Sequence, residues 1–294
     1  MIISNIVGGL GNQMFQYAAG RSLSLRLNLP LFLDISDLTN YKLHYGYQLN
    51  HIFRGQFDIA NNSLLGEVLG FQNNFALKRI LKYDSLKFLR SRHYVIEPFF
   101  KYTDISGDIS QKAYICGYWQ SEKYFKEHAA IIRDDFRFKS ELNEINSKIS
   151  QLILSVNAIS IHIRRGDYIS SKSTNALLGI CPLDYYDAAI KKISSKVSRP
   201  HFFIFSDDVE WVKKNLKINH DHYFINHNHG SDSFNDMRLM SMCKHHIIAN
   251  STFSWWGAWL NSRKDKIVIA PKNWFKKPVD NRDLIPQTWL TVEV

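Results

Sequence analysis

The sequence predicts an α/β protein of two domains, each built around a parallel sheet, and three features carry that expectation. The chain opens on a strand, loop, helix and strand in succession; its second half alternates strand-like and helical stretches; and a polar segment at 139–151 separates the two parts. Placing the boundary inside that segment gives an amino-terminal domain over 1–145 and a carboxyl-terminal domain over 146–294. With 294 residues and 45% hydrophobic content, the chain can bury a core in each.

Taken in order, residues 2–7 (IISNIV) read as a buried strand, 8–11 as a tight glycine loop, 12–27 as a helix and 31–33 as a second strand. Asn12 suits the helix N-cap, and Phe15, Ala18, Ala19, Ser22 and Leu25 share the face that packs on the sheet. From 41 to 117 the periodicity is unclear, and the expectation is mixed helix and loop with a strand at 113–117. Beyond the polar segment, strands are expected at 158–163, 201–205, 222–225, 246–249 and 266–270. Helices at 183–197, 209–216 and 233–243 alternate with them, the pattern of a parallel sheet covered on both faces.

Composition removes several function classes. Cys116, Cys181 and Cys243 lie far apart with no C-x-x-C pair, which argues against a disulfide framework or a cysteine zinc site. The opening MIISNIVGGLGNQ reads as a strand and not as a signal peptide, so a cytoplasmic location is expected. The most apolar stretch, 247–260, is interrupted by polar residues and too short to span a bilayer. Lys and Arg number 37 against 27 acids, a formal +10, which favours an anionic partner. The lysines are scattered and no nucleic-acid motif accompanies them, so a nucleic-acid role is set aside.

Open parallel sheets bind ligands beyond the carboxyl ends of their strands, and four polar clusters fall there. They are His162 to Asp167 (HIRRGD), Ser206-Asp207-Asp208, Asn226 to His229, and Asn250-Ser251-Thr252-Phe253-Ser254. Strand alternation turns one of Arg164 and Arg165 into a ligand crevice and the other toward structure. A guanidinium fork suits a diphosphate, and hydroxyls and N–H groups at a helix start suit phosphate as well. Asp207 and Asp208 are adjacent and do not form Asp-x-Asp, His227 and His229 lack a third ligand, and no metal site is expected. Trp255, Trp256 and Trp259 read mainly as core. Gly8, Gly9 and Gly11 do not make a dinucleotide fingerprint.

Five segments in order, GGLGNQMFQYA (8–18), GYWQSEKYF (117–125), HIRRGDY (162–168), FSDD (205–208) and NSTFSWWGAWL (250–260), resemble the bacterial α-1,2-fucosyltransferases. The resemblance implies a GT-B fold, two Rossmann-like domains facing a cleft, and a metal-independent inverting transfer of L-fucose from GDP-β-L-fucose. It implies that Arg164 grips the β-phosphate, that His162 and Asp236 face the guanine, and that Arg165, Asp167, Asp207, Asp208 and the Ser251 to Ser254 loop complete the donor site. It implies that Gly9, Asn12 and Gln13 belong to the acceptor side. The acceptor expected is the 2-hydroxyl of a terminal β-galactose on an O-antigen or similar glycan, lipid-linked and met at the inner membrane surface. Fucosylation of another linkage, α-1,6 or on protein, is the alternative, and a decayed, non-catalytic sugar binder is a further one. Arg164 and Asp167 are the expected catalytic residues. No general base is identified, His44 being one residue of the right kind.

Overall fold

The computed structural model describes residues 1–39, 45–98, 100–166, 172–277 and 279–293. His44 and Asp167 lie outside the described residues. The chain divides into two compact units, Met1–Lys139 with Arg282–Leu284, and Ser140–Asn281 with Ile285–Val294.

The first unit holds strands β1 (Ile2–Asn5), β2 (Leu31–Asp34), β3 (Tyr94–Ile96) and β4 (Ala113–Cys116), all parallel and ordered β2-β1-β4-β3. Helix α1 (Leu10–Leu27) begins ahead of the expected position. Gly9, not Asn12, is its N-cap, and Asn12 sits inside the first turn, its Oδ1 accepting from Gln120 Nε2 at 2.9 Å. Gly8 supplies the bend before the helix, with φ +78, which a side chain would resist. Asn28, left-handed at φ 53, ends the helix by returning its N–H to Leu25 O at 3.3 Å.

Helices α2 (Asn62–Leu69) and α3 (Phe75–Ile80) are each capped by a preceding asparagine, Asn61 and Asn74. Leu65, Val68 and Leu69 of α2 pack on Ile3, Tyr94 and Tyr114 of the sheet. A buried ion pair lies under the same sheet, where Asp34 Oδ2 takes Lys78 Nζ at 3.1 Å and the Tyr114 hydroxyl at 2.8 Å. Asp283 of the returning segment accepts from Tyr102 N at 2.9 Å and from the Lys123 ammonium, while its carbonyl takes the Ser121 hydroxyl.

The second unit holds β5 (Asn157–Ile163), β6 (Pro200–Ser206), β7 (His222–Ile225), β8 (His245–Ile247), β9 (Val268–Pro271) and β10 (Leu290–Val292), ordered β10-β9-β8-β5-β6-β7 and parallel throughout. Its helices include α4 (Glu144–Ser155), α5 (Leu183–Ser194), α6 (Val209–Asn215), α7 (Phe234–Met242) and α8 (Thr252–Leu260). Asn143 caps α4 through its side chain, so a break at 145/146 would cut a helix; the units part ahead of it, at Lys139 and Ser140.

Alternation along β5 sorts its side chains. Ile159, Ile161 and Ile163 pack with Tyr185 and Ile190 of α5, whereas Ala158 joins Phe203, Leu239 and Met240 on the opposite core. Ser160 and His162, in step with Ala158, therefore belong to that second face. Trp255, Trp256 and Trp259 are all buried. Among the described residues no helix is long and apolar enough to cross a membrane.

Candidate donor site at the strand ends of the second unit

The loop leaving β5 is fastened to the loop leaving β6. Arg164 Nη1 lies 2.8 Å from Asp207 Oδ2, and the backbone N–H of Arg165 donates to Asp207 Oδ1 at 2.8 Å. Gly166 makes this possible, because a Cβ there would stand 2.7 Å from Asp207 Oδ2. The Arg164 side chain keeps 27% of its surface exposed.

Arg165 takes the other direction. Its guanidinium lies 3.4 Å from the centre of the Trp211 ring and its Nε 3.1 Å from Asp208 Oδ2. Asp208 in turn caps α6, its Oδ1 accepting from Trp211 N at 3.3 Å. Arg165 and Asp208 are thus joined in a structural clamp on the first turn of α6, and Trp211, unremarked in the sequence, is the platform. Adjacent arginines with divergent surroundings are what alternation at a strand end predicts.

His162 is buried, and among the described residues its Nδ1 has no hydrogen-bond partner. Burial pushes its pKa well below the usual value, the nearby Asp207 charge opposing and the Arg164 charge reinforcing, so the ring is neutral at pH 7. An unpartnered buried nitrogen is costly unless a ligand or water completes it. The ring lies 5.8 Å from that of Phe253, at the start of α8, and Phe253 packs against the core containing Leu239 and Met240 of α7.

The Asn250 to Ser254 segment divides by role. The Asn250 amide donates to Leu178 O at 2.9 Å and Trp274 O at 3.1 Å, tying surrounding loops together, and Ser254 is wholly buried with its hydroxyl on Ser251 O. Ser251 occupies the N-cap of α8 without a side-chain cap bond. Thr252 and Phe253 are half-buried at the helix entry. Beside Asn250 opens a cavity of about 610 Å³ whose walls include Cys181, Tyr185, Trp274 and Lys276.

Asp236 stands in the first turn of α7 and accepts from Asn228 Nδ2 at 2.8 Å. Burial raises its pKa to about 7 against the effect of that hydrogen bond. Asn228 is held by Asn146 of α4, which also meets His227 Nε2 at 2.9 Å, so His227 belongs to a polar network and His229 is exposed. Among the described residues no three His, Cys, Asp or Glu side chains are grouped to hold a metal.

In the first unit, Gly9 starts α1 and Gln13 is fully buried behind it. The Gln13 amide donates to Gly8 O at 2.9 Å and Gly46 O at 2.8 Å while its carbonyl takes Gln48 N at 3.0 Å, which makes it a loop organiser. Gln16 acts likewise, joining Val7 N at 2.9 Å to Gly117 O at 3.1 Å. Glu97, just past β3, accepts the N–H groups of Tyr118 and Trp119 at 2.7 and 2.8 Å, and burial raises its pKa to about 7. It could not be singled out in the sequence because β3 itself, three residues long, gives no periodic signal.

The model of glycosyl transferase family 11 matches residues 2–293. The chain belongs to glycosyl transferase family 11. It is a glycosyltransferase, similar to the alpha-1,2-colitosyltransferase of Escherichia coli, at 37% identity over 100% of this chain and 99% of that one. It is similar too to the O-antigen biosynthesis glycosyltransferase WbnK of Escherichia coli, at 34% identity over 92% of this chain and 94% of that one. Among solved structures, the NodZ alpha-1,6-fucosyltransferase soaked with GDP-fucose superposes with a TM-score of 0.54 over 88% of this chain and 91% of that one, at 16% identity. That likeness establishes the family 11 chain as a GT-B type α/β protein.

Proposed function

We propose that this chain transfers a 6-deoxy-L-hexose of the fucose type from its GDP ester to the 2-hydroxyl of a terminal β-galactose on an O-antigen or similar glycan. The observation that supports it most is the fastening of Arg164 to Asp207 beside a buried, neutral His162 at the carboxyl edge of one parallel sheet. In this reading the Arg164 fork meets the β-phosphate, the entry of α8 faces the diphosphate, and Asp236 and His162 take the guanine. Asp167 shares the donor site, and Gly9 and Asn12 belong to the acceptor side.

A donor with a β anomeric bond and an α product require attack opposite the diphosphate, a single inverting displacement. As the bond to the anomeric carbon breaks, the electron pair leaves on the β-phosphate. A guanidinium already oriented by Asp207 stabilises that growing charge without reorganising. This would let the reaction run without a metal ion. The lipid-linked form of the acceptor would bring the protein to a membrane surface as a peripheral, cytoplasmic enzyme.

A second donor is favoured by one specific observation, the 37% identity with a colitosyltransferase. Colitose is fucose without its 3-hydroxyl, so the two donors share every feature that Arg164 and Asp236 would read. The deciding experiment supplies GDP-fucose, GDP-colitose and GDP-mannose in parallel with lactose, N-acetyllactosamine and a galactose-β-1,3-linked disaccharide, followed by linkage analysis. Transfer of fucose or colitose to oxygen 2 of galactose is the expected result. Transfer only from GDP-mannose, or to N-acetylglucosamine, would overturn it.

A further inference from the structure

Half of the formal net charge of +10 resides in residues 71–92, which hold six Lys and Arg against the single acid Asp84. This excursion, running from the end of α2 through α3 toward β3, is anchored from one side. Lys78 reaches inward to Asp34, Leu81 is buried in the core that contains Ile3 and Tyr114, and Leu86 packs against it. Arg90 closes the segment on itself, its Nε donating to Leu81 O at 2.7 Å.

With those side chains turned inward, the outer surface carries a group of large apolar side chains. Phe71 and Phe88 are 77% and 76% exposed, and Leu77, Ile80, Tyr83 and Leu89 are exposed with them. Few soluble surfaces gather so many large apolar groups without a partner. Arg79, Lys82, Lys87 and Arg92 are exposed in the same stretch. A protein partner's apolar core would have to desolvate these cations, and a nucleic acid would have no use for Leu77, Ile80 and Leu89. An anionic bilayer surface takes both kinds of group, aromatic and aliphatic side chains into the acyl boundary and cations at the headgroups.

We infer that the face formed by residues 71–92 docks on an anionic phospholipid surface through Phe71, Phe88 and their apolar neighbours, with Arg79 and Lys87 on the headgroups. It gives the membrane contact of the proposed function a location, and it can be tested with no sugar present, so its failure is separate from failure of the donor assignment. The full chain is sedimented with vesicles of phosphatidylethanolamine and phosphatidylglycerol, and with vesicles of phosphatidylcholine alone. Binding to the anionic vesicles is expected to be at least about tenfold stronger and to weaken in salt. Phe88→Ser with Leu89→Ser, and separately Arg79→Glu with Lys87→Glu, should each lower it by about tenfold or more while melting as the wild type does. Absence of binding, equal binding to both vesicles, or unchanged binding of either variant would overturn the assignment. So would a dimer of the wild type in light scattering that Phe88→Ser with Leu89→Ser dissociates, since the face would then be a contact between copies.

Discussion

Asp207 holds Arg164 by its side chain and Arg165 by its backbone, one carboxylate oxygen for each, at 2.8 Å in both cases. In the proposed mechanism the guanidinium that meets the β-phosphate is therefore aimed by Asp207. Arg164→Lys should lower kcat by about 10²–10³ with GDP still bound more weakly, because a point charge cannot keep Asp207 and meet a phosphate with a fork. Steady-state kinetics with GDP-fucose and lactose read this directly. Unchanged turnover would remove Arg164 from the proposed mechanism.

Gly166→Ala tests the aiming separately. The new methyl would stand 2.7 Å from Asp207 Oδ2 and displace it, so kcat should fall about tenfold while the fold melts within a few degrees of the wild type. Combining it with Asp207→Ser should cost little more than either change alone, since both act through one contact. Additive losses in that double-mutant cycle would show that the two residues act independently.

Arg165→Lys should behave as a change in stability. Loss of the stack on Trp211, with its weaker hold on Asp208, costs about 1 kcal/mol and roughly 2–4 °C in Tm. GDP affinity measured by calorimetry should stay within about threefold of the wild type. A large loss of affinity with no shift in melting would reverse the roles of the two arginines.

Asp236 predicts a stability that depends on pH. Its folded pKa, raised by burial to about 7, lies above the unfolded value, so the native state holds a proton that the unfolded chain has lost. That contribution is complete below about pH 4 and disappears as pH rises to about 7, with a total on the order of 4 kcal/mol. Asp236→Asn should therefore raise the Tm at pH 8 more than at pH 5 while weakening GDP binding, the trade expected of a buried acid kept for a ligand. Equal melting of the variant and the wild type at pH 8 would contradict the burial argument.

Metal independence is tested by turnover in excess EDTA. In the proposed mechanism the charge that leaves on the β-phosphate is stabilised by Arg164, so the rate should be unchanged. Loss of activity that Mn²⁺ restores would require a different electrophile at the β-phosphate.

Much of the second unit was legible because strand and helix periodicities alternate cleanly there, and the strand ends carry the polar clusters. The strands expected at 158–163, 201–205 and 222–225 coincide closely with β5, β6 and β7. What eluded the sequence were elements too short for a period, β3 and β10, and side chains whose role depends on a distant partner. Trp211 reads as an ordinary helix residue until Arg165 is seen stacked on it. The sequence likewise gives no sign that the Asn250 amide donates to the Leu178 and Trp274 carbonyls. Asn12 was misplaced as a cap because Gly9 starts the helix with no side chain to announce it.

The return of Arg282–Leu284 to the first unit has a consequence for building hybrid enzymes. The polypeptide changes unit at 139/140, again at 281/282 and again at 284/285, so the carboxyl-terminal half of a relative cannot be exchanged as one uninterrupted cassette. A splice at 139/140 would bring a foreign tripeptide to the seat made by Tyr102, Ser121 and Lys123. Donor preference should be transplantable between family members only when the residue at 283 is matched to that seat, and mismatched hybrids should lose the fold of the recipient half before they reveal anything about the sugar.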